Sequence, residues 1–436
     1  MQFDAPPNEH TPQIMQTNAS EEVREPLNTT PRPIMHWQTN AYMYTSSAED
    51  RSRLADAVPQ IISVIHRERL YEDNRLLPHN RLSDDELRGL YNAGVTLLTA
   101  IWPFGASRTP VERARREETY ILQVSVLQYT LKAKGLEILN PDVIRLSALF
   151  CEVAWYTIFN SKGDNLALGQ ESALFSLQVL DRVADSDRDN LWSQLRRDSY
   201  RYRAIIETLM GDGHAAGACW DWIKWLEERI EKYAEQEDIN MRPIACNEYG
   251  IALMRVFGEA RAMEAWESSC GMVERDTKMG ELPFPLPWMN KALVLAYSGK
   301  HHEALVIALP FLKQREEKLG RDDVSTIDTG LLLNCIGNIY RMQGCRGDAY
   351  AFFERAVAVE KATIGEWCLW TIASYYRLAC EQFERGEFAP ARDLLEKCVR
   401  FAGEKQWYKG VAARACWKLG RTLQALGGDE NLKQAG

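Results

Sequence analysis

A pattern of small and large residues that recurs about every 42 residues limits the folds open to this chain more than any other feature. Its clearest copy has Gly337 on one predicted helix, a turn at Gly344 and Phe353 on the next helix. Two further turn glycines, Gly386 and Gly427, follow at intervals of 42 and 41 residues. A helical repeat of this length is typical of antiparallel helical hairpins that stack in chain order.

Residue size gives the pattern a physical reason. Gly337 and Ala349 are small enough to let the two helices of a hairpin approach, and Tyr340 and Phe353 fill the space beside that contact. Gly344 permits the tight turn between the helices. The other copies repeat this order of sizes, at Trp288, Ala292, Leu295, Gly299 and Ala304 upstream, at Tyr375, Leu378, Ala379, Ala391, Leu395 and Cys398 downstream, and at Cys416, Leu419, Gly420 and Leu423 near the end. A weaker copy covers residues 249–266.

No stretch alternates apolar and polar residues over the length of a strand, so the predicted fold class is all-α. We predict three segments. Residues 1–47 carry six prolines and few aliphatic side chains, which predicts a disordered polar arm. Residues 48–240 are expected to form degenerate helical hairpins, and residues 241–436 repeats that end in a capping helix.

The copy from Leu333 to Ala356 resembles the tetratricopeptide consensus in residue type and spacing. Its period near 42, longer than the usual length of about 34, resembles the kinesin-light-chain type, and residues 317–323 and 360–365 are similar to that family's linkers between repeats. The region also resembles uncharacterised fungal repeat proteins. The resemblance covers residues 245–427, departs from the consensus at Lys291, and implies a right-handed superhelical solenoid that binds other proteins.

Composition narrows the function classes. The chain has 61 acidic and 52 basic residues, a net charge of −9 that argues against a general nucleic-acid binder. It has no apolar run of about 18 residues and no secretory signal at its start, so the expected location is cytoplasmic. The ten cysteines form no C-x-x-C pair and are interpreted as reduced core thiols.

Candidate chemical motifs have simpler explanations. His301 and His302 are adjacent on a predicted helix and point about 100° apart, which is unsuited to one metal. The turn at Gly211 lacks the Lys-Ser/Thr of a phosphate loop. Trp220 and Trp225 lie on one helix with Trp222 rotated away from them, so we expect part of this cluster in the core and one ring at a partner surface. We therefore predict no catalytic residue, no metal and no cofactor.

The best candidate site is a groove. The tetratricopeptide resemblance implies that the first helix of each hairpin lines the concave face, and the helical period predicts which positions are exposed there. They are Met289, Leu293 and Tyr297, then Asn334, Asn338 and Arg341, then Tyr376 and Cys380, and finally Arg414, Trp417 and Arg421. Asparagine amides can hold a peptide backbone, and arginine can bind a carboxylate. The expected partner is therefore another protein or peptide that presents acidic side chains or its C-terminus to the groove.

Three functions are compatible with these observations. The leading hypothesis is a non-catalytic scaffold or adaptor that holds a peptide or helix in the groove. The second is an auxiliary or regulatory protein of a biosynthetic pathway, such as fungal secondary metabolism. The third is an enzyme with a site in residues 48–240, for which a deep polar pocket there is the expected sign.

Overall fold

The computed structural model describes residues 58–65, 83–102, 120–134, 140–159, 165–211, 213–275, 284–321, 323–403 and 408–427. Within these ranges the chain forms α-helices joined by short turns and has no β-strand, which confirms the all-α class. The predicted arm over residues 1–47 lies outside the described residues.

The helices are named in chain order, after a helical stretch at residues 58–65. They are α1 (Asp84–Ile101), α2 (Ile121–Lys134), α3 (Asn140–Phe159), α4 (Leu166–Leu180), α5 (Asn190–Met210), α6 (Ala215–Tyr233), α7 (Gln236–Val256), α8 (Glu259–Arg275), α9 (Leu286–Tyr297), α10 (His301–Leu319), α11 (Asp328–Gln343), α12 (Arg346–Thr363), α13 (Leu369–Glu384), α14 (Phe388–Gly403) and α15 (Lys409–Leu426). A short 3-10 helix, Asp185–Asp187, lies between α4 and α5.

Side chains cap two of the N-terminal helices. Before α1, the Ser83 hydroxyl accepts a hydrogen bond from the backbone N–H of Glu86, and the Ser83 N–H donates to the Glu86 carboxylate at 2.9 Å. Before α5, the Asp189 carboxylate accepts from the N–H of Trp192 at 2.8 Å. Each cap satisfies backbone donors that a helix start leaves without partners, so these polar residues set where α1 and α5 begin.

Glycines in the left-handed region end the first helix of every hairpin from α5 onward. Their φ angles lie between 68° and 89°, a conformation that other residues rarely adopt. They are Gly211, Gly258, Gly299, Gly344 and Gly386, and Gly427 ends α15 in the same way. Gly258 fixes the register of the copy over residues 249–266, which the sequence pattern left uncertain. Gly211 extends the same turn geometry into the segment predicted as degenerate hairpins.

Inside the hairpins, a glycine on the first helix faces an aromatic ring on the second. A Cβ added at Gly337 would lie 2.7 Å from Cε1 of Phe353, and one added at Gly250 would lie 2.7 Å from Cδ1 of Trp266. Both pairs are separated by 16 residues. The predicted contact of Gly337 with a neighbouring helix is confirmed, and the weaker copy has the same internal packing.

The N-terminal hairpins pack through small hydroxyl side chains instead. Ser147 on α3, Ser176 on α4 and Ser199 on α5 are fully buried. The Ser147 and Ser176 hydroxyl oxygens lie 2.6 Å apart, and those of Ser176 and Ser199 lie 2.7 Å apart. Three helices thus approach closely without the glycine and aromatic pair, which explains why the consensus is hard to see in this part of the sequence.

The solenoid curves toward its first helices. Successive first helices contact each other, as in the pairs α3 with α5, α5 with α7, α9 with α11 and α13 with α15, more closely than successive second helices do. The curvature brings distant segments together: the rings of Phe159 on α3 and Trp370 on α13 have centroids 5.9 Å apart. One apolar cluster includes side chains of α1 to α5 together with Tyr375 and Phe401.

A buried arginine holds the connection between α10 and α11. Arg315 is 3% exposed, and its guanidinium donates to the Asp323 carboxylate at 3.1 Å and to the Thr329 hydroxyl at 2.8 Å. Arg315 also lies 3.5 Å from the carboxylate of Asp328 at the start of α11. Asp323 ends one of the two linker-like stretches seen in the sequence, and its role here is to anchor the longer connection between repeats.

We expect Gly337→Ala to destabilise the protein, because its new methyl group would sit against the Phe353 ring. Overpacking of this kind costs about 1–3 kcal/mol. The matched control is Gly89→Ala on α1, where nothing lies within 4 Å of the new Cβ. In a helix interior that change stabilises by roughly 0.5–1 kcal/mol. Thermal unfolding should therefore shift in opposite directions, and equal melting temperatures would contradict the hairpin register.

Candidate functional site

An open cleft of about 390 Å³ lies where the first helices α11, α13 and α15 meet. Its lining comprises Arg341, Met342, Arg346, Tyr376, Cys380, Glu381, Glu384, Trp417 and Lys418. Four of the predicted groove residues, Arg341, Tyr376, Cys380 and Trp417, therefore line one cleft. Cys380 is only 8% exposed, which corrects its predicted exposure. The structure thus places first-helix positions of three successive repeats on one accessible surface.

Aromatic and cationic side chains form the end of this cleft on α15. The Trp417 side chain is 60% exposed although it is a large apolar group. The Arg421 guanidinium lies 5.3 Å from the Trp417 ring centroid, and Lys418 Nζ lies 3.8 Å from that of Phe383. These cation–π contacts support the rings from one side and leave the Trp417 face available.

Two of the cations in the cleft form ion pairs with the same carboxylate. Glu384 lies 3.0 Å from Arg346 and 3.1 Å from Lys418. The hydrogen bond from Lys418, followed by that from Arg346, lowers the pKa of Glu384. Glu381 is 3% exposed, and burial raises the pKa of its carboxyl group. Among the cations that line the cleft, Arg341 is the one that forms no ion pair within the described residues.

The two asparagines of the predicted groove link α11 to α13. Asn338 Nδ2 donates to the backbone carbonyl and the side-chain oxygen of Asn334, each at 2.8 Å. Asn338 Oδ1 accepts from Arg377 Nε at 2.8 Å, and Asn334 Nδ2 donates to the Ser374 hydroxyl. Asn338 is only 8% exposed, which corrects the expectation of an exposed position. Its amide is used between helices, because Arg377 projects from α13 into the site.

The upstream part of the predicted groove is divided between core and surface. Met289 is buried in the core of the α9–α12 repeats, which again corrects the expected exposure, and Leu293 is half-buried. Tyr297, at the end of α9, is 73% exposed. Downstream, Arg414 and Arg421 are exposed on α15. Tyr297, Arg341, Arg414, Trp417 and Arg421 are thus the predicted positions that present substantial side-chain surface.

Sequence reasoning missed Arg377, the residue that links α13 to Asn338 of α11. It precedes Leu378 of the repeat pattern and was assigned to no exposed face, yet it is half-buried. The available signal was its position one residue after Tyr376, at the edge of the helix face that packs on the preceding repeat. Helical periodicity alone does not separate such edge positions from the core.

A carboxyl group is buried beneath Arg377. Glu360 on α12 is completely buried, and its Cγ lies against Gly330, where an added Cβ would be 2.5 Å away. Burial raises the pKa of Glu360 from 4.5 to about 8, with smaller opposing effects from Ser374 and Arg377. This carboxyl group is therefore mostly neutral near pH 7 and compensates little of the arginine charge.

The tryptophan cluster on α6 is divided as the helical period predicted. Trp222 is fully buried, whereas Trp220 is 44% exposed and its ring centroid lies 5.8 Å from that of Tyr249. The cysteines follow the core interpretation in general: all ten lie within the described residues, none forms a disulfide bond, and only Cys345 and Cys416 are not buried. Burial raises the pKa of the Cys335 and Cys398 thiols to about 12, which makes thiolate chemistry unfavourable there.

The tetratricopeptide repeat family model matches residues 328–404, the span of α11 to α14 that builds most of the cleft. No curated protein sequence matches the chain.

Among solved structures, the chain is similar to NprR in complex with its cognate peptide NprX, at 13% identity and a TM-score of 0.40, over 74% of this chain and 86% of that one. It is also similar to a Rap protein complexed with Competence and Sporulation Factor, at 11% identity and a TM-score of 0.43, over 89% and 100%. A third is the Cut9–Hcn1 hetero-tetramer of the APC/C, at 14% identity and a TM-score of 0.26, over 81% and 73%.

The described residues were also compared with the requirements of membrane spans and of metal sites. No described helix combines the length and apolar character needed to cross a membrane. Within the same residues, no three or more His, Cys, Asp or Glu side chains are grouped so that they could hold a metal ion.

We expect Asn338→Ala to destabilise the protein, because it leaves Arg377 Nε without its acceptor. A buried polar group left without a partner costs about 1–3 kcal/mol. Arg341→Ala, which removes an exposed group from the same helix, should change the free energy of unfolding by less than about 0.5 kcal/mol. Denaturant unfolding of both variants checks this difference. A stable Asn338→Ala protein would show that the link between α11 and α13 carries little energy.

The stability contributed by Glu360 should depend on pH. Because folding raises its pKa from 4.5 to about 8, the native state holds a proton that the unfolded state releases. The wild type should lose stability as pH rises through this window, by up to about 1.4 kcal/mol per unit for a fully coupled proton. Glu360→Gln should therefore raise the melting temperature more at pH 8 than at pH 5. Glu354→Gln, exposed on the same helix, is the control and should show no such difference.

Proposed function

We propose that this protein is a non-catalytic scaffold or adaptor that holds a peptide or helix of another protein in a groove lined by the first helices α9, α11, α13 and α15. The observation that carries the proposal is the cleft at Arg341, Tyr376 and Trp417. Tetratricopeptide repeats build most of it, and it opens on the side toward which the solenoid curves. The cleft and the exposed arginine and aromatic side chains therefore occur on the same surface.

Two exposed aromatic rings support a protein partner. Tyr297 is 73% and Trp417 60% exposed, one on α9 and the other on α15. Aromatic side chains of this size dominate the binding energy of many interfaces once a partner covers them. With the rings at either end of the groove and arginines between them, the surface suits an extended peptide or an amphipathic helix.

The positive charge of the groove supports a partner that presents acidic side chains or its C-terminal carboxylate. Arg341 and Arg414 have no hydrogen bond or ion pair to a carboxylate within the described part of the chain. A guanidinium binds a carboxylate through two parallel hydrogen bonds, which adds orientation as well as affinity. Such pairs would supply the specificity that apolar contacts with Tyr297 and Trp417 cannot.

The repeat type and the biological setting belong to the same proposal. The turn glycines follow one another at intervals of 41 to 47 residues, which supports repeats of the kinesin-light-chain-like type. A cytoplasmic location and an auxiliary role in a fungal biosynthetic pathway are the settings that we propose for such an adaptor. The identity of the partner bound in the groove tests both.

Site-specific photo-crosslinking tests the groove directly. A photoreactive phenylalanine derivative would replace Tyr297 in one variant and Trp417 in another. The control is Val306, which is 60% exposed but lies on the second helix α10. In extracts of the native cell, both groove variants should crosslink to the same polypeptide and the Val306 variant should not. Crosslinks at Val306 alone would place the binding surface on the second helices instead.

A further inference from the structure

Large apolar side chains occupy the same position near the ends of four successive first helices. Each lies two residues before the left-handed glycine that ends its hairpin's first helix. They are Leu209 on α5, Val256 on α7, Tyr297 on α9 and Met342 on α11, and we call them the apolar row. Val256 is 51% and Tyr297 73% exposed, and the other two are half-buried. The row ends at α13, where Glu384 has the same position.

Direct contacts between the four helices hold the apolar row in line. Arg255 of α7 donates a hydrogen bond to the backbone carbonyl of Thr208 in α5. Asn290 of α9 donates to Asn247 Oδ1 of α7 at 2.9 Å, and the Cys335 thiol of α11 lies 3.6 Å from a backbone carbonyl of α9. The axes of helices in such contact lie about 8–10 Å apart, so successive members of the row are separated by about that distance.

A polar row runs beside the apolar row on the same helices. Its members are Glu248 on α7, Asn290 on α9 and Asn334 on α11, all half-buried. They precede the apolar row by seven or eight residues, which corresponds to about 10–12 Å along each helix. The cleft shows that these two positions share a surface, because Tyr376 and Glu384 of α13 occupy them and both line it. The groove is therefore apolar along one margin and polar along the other.

Two cations lie next to the apolar row. Arg255 directly precedes Val256 and Arg341 directly precedes Met342, and both arginines are exposed. Neither forms an ion pair within the described residues, and the hydrogen bond of Arg255 goes to an uncharged carbonyl. A partner that covers the apolar row therefore gains most if it presents carboxylates to these two positions.

We propose that the partner binds through an amphipathic α-helix that lies across the first helices, with its apolar face on the apolar row and acidic residues toward Arg255 and Arg341. Seven residues of an α-helix rise about 10.5 Å and return to nearly the same face, which matches one repeat. In an extended chain, side chains on one side are about 6.6 or 13 Å apart, which matches poorly. The distance between the two margins also fits the width of one helix, about 10–12 Å with its side chains. This inference rests on the proposed binding function and specifies the bound element as an acidic amphipathic helix.

Selection from random peptides by mRNA display tests the inference on the full chain. The peptides have about 24 residues, which is enough for a helix to span three repeats. The enriched sequences should carry apolar residues at helical spacing, with a strong seven-residue period, and a net negative charge. In fluorescence anisotropy, a proline at a central polar position should weaken the tightest peptide by about a hundredfold, because it breaks a helix. Alanine at the same position is the control and should have little effect.

Protein variants assign the binding to the apolar row. Val256→Asn should weaken the tightest selected peptide by about tenfold or more and leave the melting temperature nearly unchanged, because Val256 is exposed. Val306→Asn is the matched control, since Val306 is 60% exposed but lies on the second helix α10. Arg341→Gln should weaken the same peptide, whereas Arg321→Gln, in the exposed loop before α11, should not.

The other outcomes overturn the inference. Selected peptides that alternate apolar and polar residues, or that tolerate the central proline, would show binding in an extended form. Equal losses in Val256→Asn and Val306→Asn would place the peptide elsewhere, and a selection that enriches no sequence would reject a helix site. In each of these cases, crosslinks of one native polypeptide at Tyr297 and Trp417 would still support the scaffold function. Helical peptides that depend on Val256, without such crosslinks, would support the helix site and reject the scaffold function.

Discussion

In two hairpins, α7–α8 and α11–α12, the contact between a glycine of the first helix and an aromatic ring of the second determines how closely the helices pack. At Gly337 the absent Cβ leaves space that Phe353 fills completely, and Trp266 occupies the same place at Gly250. Because the ring lies against backbone, the two helices are held at one distance and one rotation. That rotation decides which residues of the first helix turn inward and which face the groove. The surface at Arg341 thus depends on a contact buried on the other side of α11.

Polar contacts between hairpins then fix how the repeats stack. Arg315 anchors the connection before α11, and Arg377 joins α13 to α11 through Asn338. Hydrogen bonds have defined directions, whereas apolar contacts permit neighbouring helices to slide. Buried groups of this kind therefore specify the curvature of the solenoid, since a slipped arrangement would leave them without partners. The second of these links, from Arg377 to Asn338, joins α11 and α13, two of the helices that line the cleft.

Sequence reasoning predicted the hairpins better than the site, for a physical reason. Local geometry requires the turn glycines and the small residues Gly337 and Ala349. Their spacing along the chain is therefore enough to predict the hairpins. Exposure in the groove depends on how successive repeats overlap, and this is why Asn338 and Met289 are buried although their helical positions predicted otherwise. Arg377 was missed because the hydrogen bond that it makes outside its own helix is with Asn338 of the preceding repeat. The contacts between serine hydroxyls of α3, α4 and α5 could not be predicted either, because hydroxyl groups add nothing to a periodic apolar pattern.

Arg377 connects stability with binding. Arg377 holds α13 against α11, yet its charge meets only neutral oxygens and a carboxyl group that burial keeps protonated. A half-buried charge without a counter-ion lowers the stability of the free protein. An anionic group of a ligand that reaches Arg377 would remove this penalty in the bound state alone. The repeats around the cleft would then become more stable when the groove is occupied, because a ligand that binds only the folded state stabilises it. In this way a residue that appears structural within the repeat also favours the binding of a partner.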